Sequence, residues 1–112
     1  MRVVITGGAG MIAGYVCRRL AADHELVLMD RVAPAADDGF GRERMTFMQG
    51  EITDESACAR AFDGADAVVH LAGLKDPGPR AFFVNGYGSY VVLEAARAAG
   101  VGRVVPASSI NV

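Results

Sequence analysis

The feature that most constrains the fold is a glycine-rich stretch between an apolar run and an amphipathic segment. Residues 7–13 are Gly-Gly-Ala-Gly-Met-Ile-Ala and directly follow the apolar run Arg2–Thr6. That run predicts a strand covered on both faces, as in a parallel sheet. The next segment, Gly10–Ala22, predicts a helix, because apolar residues recur in it at helical spacing. The side chains predicted to face the sheet are Ile12, Val16 and Leu20.

Strands and helices alternate along the rest of the chain. The predicted strands are Arg2–Thr6, Glu25–Met29, Met45–Gln49, Ala65–Leu71 and Val101–Ala107. The later helices are predicted from Thr53 or Asp54 to about Phe62, and as one long helix from about Arg80 to Ala99. This alternation predicts an α/β fold with a Rossmann-type doubly wound parallel sheet. We expect about five strands in the order 3-2-1-4-5, which leaves the sheet incomplete.

Composition narrows the function classes. A chain of 112 residues forms one domain, and its 52% hydrophobic content can fill a core. The net charge of −2 argues against a nucleic-acid or anionic membrane surface. Its apolar runs are far shorter than the roughly 20 residues of a membrane span. Cys17 and Cys58 are isolated, which favours buried free thiols over a disulfide or a metal site and indicates a cytoplasmic protein.

The glycine turn is suited to binding a diphosphate. Backbone N–H groups at a helix N-terminus attract a dianion, and side chains would hold it away. Gly7 allows the backbone angles of the turn, Gly10 allows close approach, and Ala13 is small enough for helix–sheet packing. With a strand before it and a helix after it, this stretch predicts a dinucleotide site. The alternative is a glycine-rich connection that binds no ligand.

Asp30 lies twenty residues after Gly10, at the end of the second apolar run. A carboxylate at this place can accept hydrogen bonds from both hydroxyls of the adenosine ribose. It would also repel a 2′-phosphate, which favours NAD over NADP. Arg31 complicates that preference, because a cation beside the ribose could receive the phosphate. The alternative for Asp30 is a solvated acid at a strand end.

Several stretches of the first half match the motifs of one family. Residues Thr6–Ala13 are similar to TGGxGxIG, with Ala13 at the place of the last glycine. Gly50–Asp54 is similar to G-D-I/L-x-D, with Glu51 as the first acid, and Val68–Gly73 is similar to VVHLAA. On these residues the chain resembles the extended short-chain dehydrogenase/reductase family, the NAD-dependent epimerases and dehydratases of nucleotide sugars.

The second half carries the same resemblance over the remaining residues. Asn85–Ser89 is similar to N-V-x-G-T, from which Gly86 and Ser89 depart. Leu93–Arg97 matches L-E-A-A-R, and Val104–Val112 is similar to the strand V-V/F-x-A/S-S-S-x-x-V. Together these stretches are far more specific than the glycine turn alone.

The resemblance implies a set of residues around NAD, in which Glu51 meets the adenine amino group. The implied cofactor-binding residues are Gly7, Gly10, Met11, Ile12, Asp30, Arg31, Glu51, Ile52, Leu71, Ala72, Gly73, Lys75, Asn85, Ala107 and Ser108. Lys75 is equally explained as a solvated loop lysine. The family's catalytic hydroxyl corresponds to Ser109, which would hydrogen-bond the reacting sugar hydroxyl. The residues alone would make Ser108 and Ser109 strand-end serines that bond the backbone.

Catalysis in the family also needs a Tyr-x-x-x-Lys pair, in which tyrosine takes a proton as hydride leaves the substrate carbon. Four residues after Tyr15, Tyr87 and Tyr90 stand Arg19, Val91 and Glu94, so this chain contains no such pair. We therefore expect residues 1–112 to be the N-terminal, NAD(P)-binding part of a longer enzyme and to be inactive alone. The alternative is a natural short protein.

The resemblance implies transient hydride transfer on a nucleotide sugar, with epimerisation or dehydration as the outcome. Sugar or uronate dehydrogenases of the same family, which release reduced NAD, are one alternative. A non-catalytic dinucleotide-binding sensor is another, and a downstream Tyr-x-x-x-Lys pair would argue against it. His70 is expected to be structural, as a lone histidine in an apolar strand usually is. Relatives commonly dimerise through helices, so a homo-oligomer is expected.

Overall fold

Five short apolar segments form the strands of one parallel sheet in the computed structural model, which describes residues 1–36, 38–76 and 78–108. The strands are β1 (Arg2–Thr6), β2 (Glu25–Asp30), β3 (Thr46–Gln49), β4 (Ala67–His70) and β5 (Arg103–Pro106). Their order across the sheet is β3-β2-β1-β4-β5. The predicted fold class and strand order are confirmed. Because β1 pairs with both β2 and β4, the carboxyl ends of these strands meet at one edge.

The helices cover the two faces of the sheet. They are α1 (Met11–Leu20), α2 (Glu55–Phe62), α3 (Pro79–Phe82) and α4 (Gly88–Ala98). A 3₁₀ turn spans Arg42–Arg44, and a π-helical segment spans Phe83–Tyr87. In the described part of the chain, no helix is long and apolar enough to cross a membrane.

The predicted helix from Arg80 to Ala99 is confirmed in extent, because helical residues run without a gap from Pro79 to Ala98, but its hydrogen-bond pattern changes part-way along. The π-helical segment Phe83–Tyr87 separates α3 from α4. A π turn closes hydrogen bonds to the fifth residue and changes which side chains face inwards. Gly86 lies within it, and glycine supports an α-helix poorly. After this segment, α4 buries Val91 and Val92 against the sheet, while Phe83 lies beside the edge of the strands.

Two hydrophobic clusters hold the helices against the two faces of the sheet. One places Phe62 of α2 and Val92 of α4 against Val4 and Val27 of the sheet. The other places α1 on the opposite face through Ala13 and Cys17, both fully buried. Val16 and Leu20 pack against this second cluster as predicted. Ile12 does not, since the residue is 64% exposed, and the prediction that it faces the sheet is wrong.

The two thiols are both free and buried, as predicted. Burial raises the pKa of Cys58 to about 12 and also raises that of Cys17. Both thiols are therefore protonated and inert at neutral pH.

Candidate functional site

The glycine turn after β1 brings two strand ends together. Gly7 has φ +68°, a value that disfavours a side chain, and a Cβ there would lie 2.8 Å from the backbone nitrogen of Ala72. The turn is closed by a hydrogen bond of 3.0 Å from the Gly10 N–H to the Gly7 carbonyl. The absence of a side chain at Gly7 therefore lets the end of β4 lie directly against the turn.

The N-terminus of α1 lies directly after this turn and is open to solvent. Gly14 makes the first intrahelical bond, donating to the Gly10 carbonyl at 3.2 Å, so the amides of Met11 and Ile12 have no intrahelical acceptor. A Cβ at Gly10 would meet only the Gly7 carbonyl oxygen within 4 Å. The side chains of Met11 and Ile12 are exposed. Open space, free amides and the positive end of the helix dipole fit a diphosphate.

Asp30 at the end of β2 is held by two backbone amides. Its Oδ2 accepts from the Ala9 N–H at 2.9 Å, and its Oδ1 accepts from the Arg31 N–H at 2.7 Å. A carboxylate offers about four lone-pair directions, so each oxygen can accept one further donor. The carboxylate is thus oriented beside the turn and keeps the capacity to accept two ribose hydroxyls.

A cleft of about 270 Å³ lies at the carboxyl edge of the sheet and joins these features. The predicted residues that line it are Gly7, Gly10, Asp30, Arg31, Glu51, Ile52, Leu71, Ala72 and Gly73. It is also lined by Met29, Gly50, Thr53, Leu74, Arg80, Phe83 and Val84, which sequence reasoning missed. The position of Met29 and Gly50 at strand ends could have revealed them, because ligands of doubly wound sheets bind there.

Charged side chains stand at one wall of the cleft. Glu51 Oε1 lies 3.9 Å from Arg31 Nη1 and 3.9 Å from Arg80 Nη2, and all three side chains are more than half exposed. Exposed pairs of this kind contribute little stability. Their consequence is local, because both guanidinium groups lie near the Glu51 carboxylate in the lining of the cleft.

The backbone after β4 is fixed from both sides. Thr6 Oγ1 accepts from the amides of Leu71 and Ala72 at 3.1 and 3.2 Å. Asn85, in the π-helical segment, accepts from the Leu74 N–H and donates to the Leu74 carbonyl, both at 2.8 Å. Asn85 therefore faces the loop that lines the cleft and is not itself in the lining.

The remaining predicted site residues lie away from the cleft lining. Lys75 is exposed in the loop after β4, and Ala107 and Ser108 are exposed beyond β5. Ala107 donates its N–H to the His70 carbonyl at 2.9 Å, which extends the pairing with β4 by one residue beyond β5. The predicted catalytic Ser109 lies outside the described residues. Among the described residues, no cluster of three or more acidic, histidine or cysteine side chains could hold a metal ion.

Comparisons with known proteins agree with this geometry. The family model described as "NAD dependent epimerase/dehydratase family" matches residues 3–112. The chain is 33% identical over 128 residues to a UDP-glucose 4-epimerase of Klebsiella pneumoniae, covering 100% of this chain and 91% of that protein.

Solved structures give the same result. A UDP-glucose 4-epimerase from Stenotrophomonas maltophila, solved with bound NAD and formylated UDP-arabinopyranose, matches with a TM-score of 0.87 and 33% identity. The match covers 100% of this chain and 38% of that one. Uronate dehydrogenase from Agrobacterium tumefaciens matches with a TM-score of 0.78 and 34% identity, over 96% of this chain and 40% of that one. The chain belongs to the NAD-dependent epimerase/dehydratase family.

Proposed function

We propose that this chain is the NAD-binding part of an enzyme that epimerises or dehydrates a nucleotide sugar by transient hydride transfer. The observation that carries the proposal is the cleft, whose lining brings together the turn at the N-terminus of α1 and the Asp30 carboxylate beside it. A bound NAD would supply a hydride acceptor that can also return the hydride to the sugar. The chain's own residues hold the diphosphate, accept the ribose hydroxyls and close the adenine side.

Two contacts support NAD in preference to NADP. Asp30 is a carboxylate fixed where the ribose would lie, and a 2′-phosphate would stand against its charge at short range. Arg31, the cation that could receive that phosphate, has its guanidinium 3.9 Å from Glu51. The site therefore presents an acceptor to the ribose, and the guanidinium of Arg31 lies near the Glu51 carboxylate.

Calorimetric titration of the purified chain with NAD and NADP tests this proposal. We expect NAD to bind more tightly, and Asp30→Ala to weaken NAD by about 10- to 100-fold, the range for losing charged hydrogen bonds. Asp66→Ala is the matched control, because Asp66 accepts the Arg2 amide at 2.8 Å at the opposite end of the sheet. Equal affinities for the two coenzymes, unchanged by Asp30→Ala, would reject the assignment.

The choice of a nucleotide sugar is supported by the relatives, since the Stenotrophomonas enzyme was solved with a UDP-sugar. We propose that Ser109 bonds the reacting sugar hydroxyl and that the Tyr-x-x-x-Lys pair lies beyond Val112. The test uses the polypeptide that contains residues 1–112 together with any continuation in its gene. UDP-glucose and NAD are supplied, and both the sugar products and the NADH absorbance are followed.

The likeness to uronate dehydrogenase supports one alternative, a dehydrogenase that releases NADH. Stoichiometric NADH with an oxidised sugar would establish that alternative. Interconversion or dehydration of the sugar without net NADH would support an epimerase or dehydratase. Coenzyme binding without turnover of either nucleotide sugars or uronates would instead favour a sensor module.

A further inference from the structure

A buried arginine lies against the glycine turn and is not used by the dinucleotide motif. Arg42 begins the 3₁₀ turn between β2 and β3, and its side chain is 4% exposed. Its Nη1 donates to the Gly8 carbonyl at 2.8 Å and to the Gly10 carbonyl at 2.6 Å. These contacts join residues 38–42, here called the 38–42 strap, to the turn that precedes α1.

An acid within the strap holds this guanidinium. Nε of Arg42 donates to Asp38 Oδ2 at 2.8 Å, and Nη2 forms an ion pair with the same oxygen at 2.6 Å. The other oxygen, Asp38 Oδ1, accepts the Phe40 N–H at 2.9 Å. These bonds, that of the Phe40 amide first, lower the pKa of Asp38, so it is charged at neutral pH. With one edge of the guanidinium on Asp38, Nη1 is directed at the two turn carbonyls.

Aromatic packing fixes the strap on α1. The Phe40 ring lies against Gly14, where any Cβ would overlap the ring carbons. The same ring contacts Tyr15 edge to face, with centroids 5.0 Å apart, and the Arg42 guanidinium lies 5.2 Å from its centroid. The strap is therefore a packed unit and not a loose loop over the helix.

The two carbonyls belong to the peptide groups that the coenzyme site uses. The Gly8 carbonyl shares a peptide plane with the Ala9 N–H, which donates to Asp30. The Gly10 carbonyl shares a plane with the Met11 N–H, the first amide of α1. Because a peptide group is planar, fixing its oxygen also fixes the direction of its N–H. Arg42 thereby orients the Ala9 amide, which holds Asp30, and the Met11 amide, which lies at the proposed diphosphate site.

We propose that Arg42 is a positioning residue that pre-orders the glycine turn for the diphosphate of the coenzyme, with the 38–42 strap holding its guanidinium in place. This inference rests on the proposed dinucleotide function. Without Arg42, the turn would have to become ordered when the ligand binds, and affinity would fall by the cost of that ordering. A purely structural arginine would change stability and leave the affinity of the folded protein unaltered.

The test compares two ligands in NMR titrations: ADP-ribose, which carries the diphosphate and a second ribose, and adenosine, which carries neither. Removing Arg42 alone would leave Asp38 unpaired, so the variant is the double substitution Asp38→Asn and Arg42→Gln. We expect it to weaken ADP-ribose about tenfold, the effect of ordering roughly one backbone residue, and to weaken adenosine less, because adenosine meets only the Asp30 side of the turn. The control is Arg18→Gln, because Arg18 bonds the strap at the Gly39 carbonyl at 3.1 Å and covers the Phe40 ring without touching the turn.

Unchanged ADP-ribose affinity in a folded double variant would overturn the proposal, as would equal losses for both ligands. If the double variant does not fold, the proposal can still be tested on the wild-type protein by NMR. Slow exchange of resolved Arg42 Nη protons in the free protein supports the strap, and averaged Nη signals contradict it. Failure of wild-type protein to bind ADP-ribose at all would instead reject the proposed function, which separates the two.

Discussion

Thr6 Oγ1 lies 2.7 Å from Nδ1 of His70, and the hydrogen bonds around this contact favour a neutral imidazole. Because Thr6 Oγ1 already accepts the amides of Leu71 and Ala72, its own proton must be donated to Nδ1. The imidazole proton is then on Nε2, which lies 3.0 Å from Ser89 Oγ and donates to it. The network needs a neutral His70 and holds the backbone that lines the cleft.

This network predicts a pH dependence of stability. Burial lowers the pKa of His70 from its ordinary value of 6.5, so the unfolded chain binds a proton more readily than the folded one. The contribution is full above about pH 6.5 and is lost as pH falls from there towards the folded pKa. We expect the unfolding free energy from urea titrations to decrease with a slope of up to about 1.4 kcal/mol per pH unit.

His70→Gln should remove that slope while lowering stability near neutral pH. Val69→Ala is the control, because Val69 is a half-buried neighbour on β4 with no titratable group. It should lower the unfolding free energy equally at each pH and keep the wild-type slope. A slope that persists in His70→Gln would contradict the assignment of a neutral His70.

Gly7→Ala tests the close approach of the turn to β4. At φ +68° an added methyl is strained, and it would also press on the backbone of Leu71 and Ala72. Gly64 offers a matched control, since it has φ +73° and nothing within 4 Å of an added Cβ. We expect Gly64→Ala to cost about 1 kcal/mol and Gly7→Ala at least about 2 kcal/mol, with loss of coenzyme binding. Equal costs in thermal or urea unfolding would show that the approach to Ala72 is unimportant.

Asp54→Ala should destabilise α2. The Asp54 carboxylate accepts the Ala57 N–H at 3.1 Å and caps the helix. Loss of such a cap costs about 1 kcal/mol in unfolding free energy. Asp63, exposed at the other end of α2, is the control, because an acid at a helix C-terminus gains nothing from the dipole. Asp63→Ala should change stability little, and a comparable loss in both variants would contradict the capping role.

Asn85→Ala should loosen the loop after β4 without disturbing the sheet. Asn85 makes two hydrogen bonds with Leu74, whose side of the loop lines the cleft. We expect faster amide exchange at Leu74 and a loss of about 1 kcal/mol in stability. Asn85→Asp keeps the acceptor and loses the donor, so its effect should be intermediate. Unchanged exchange at Leu74 in the alanine variant would show that Asn85 does not hold the loop.

Local sequence patterns were sufficient to predict the sheet, but they did not predict the change of pitch within the last helix. Alternating apolar runs and glycine turns predicted the strand order, since parallel strands with right-handed crossovers allow few arrangements. The change to π-helical hydrogen bonding at Phe83–Tyr87 was not predicted, because the surrounding residues keep helical spacing. Ile12 was misplaced for a related reason, since small Ala13 lets α1 pack closely through its Ala13–Cys17 face.

What the sequence determined by itself was the fold class, the glycine turn and the acid beside it, because each depends on residues close together in the chain or on strand alternation. The tertiary structure alone decided the contacts between distant segments. Arg42 meets the carbonyls of Gly8 and Gly10 across more than thirty residues, and Thr6 meets His70 across 64. No periodicity marks such pairs, because they arise only when folding brings buried donors to acceptors that have lost water.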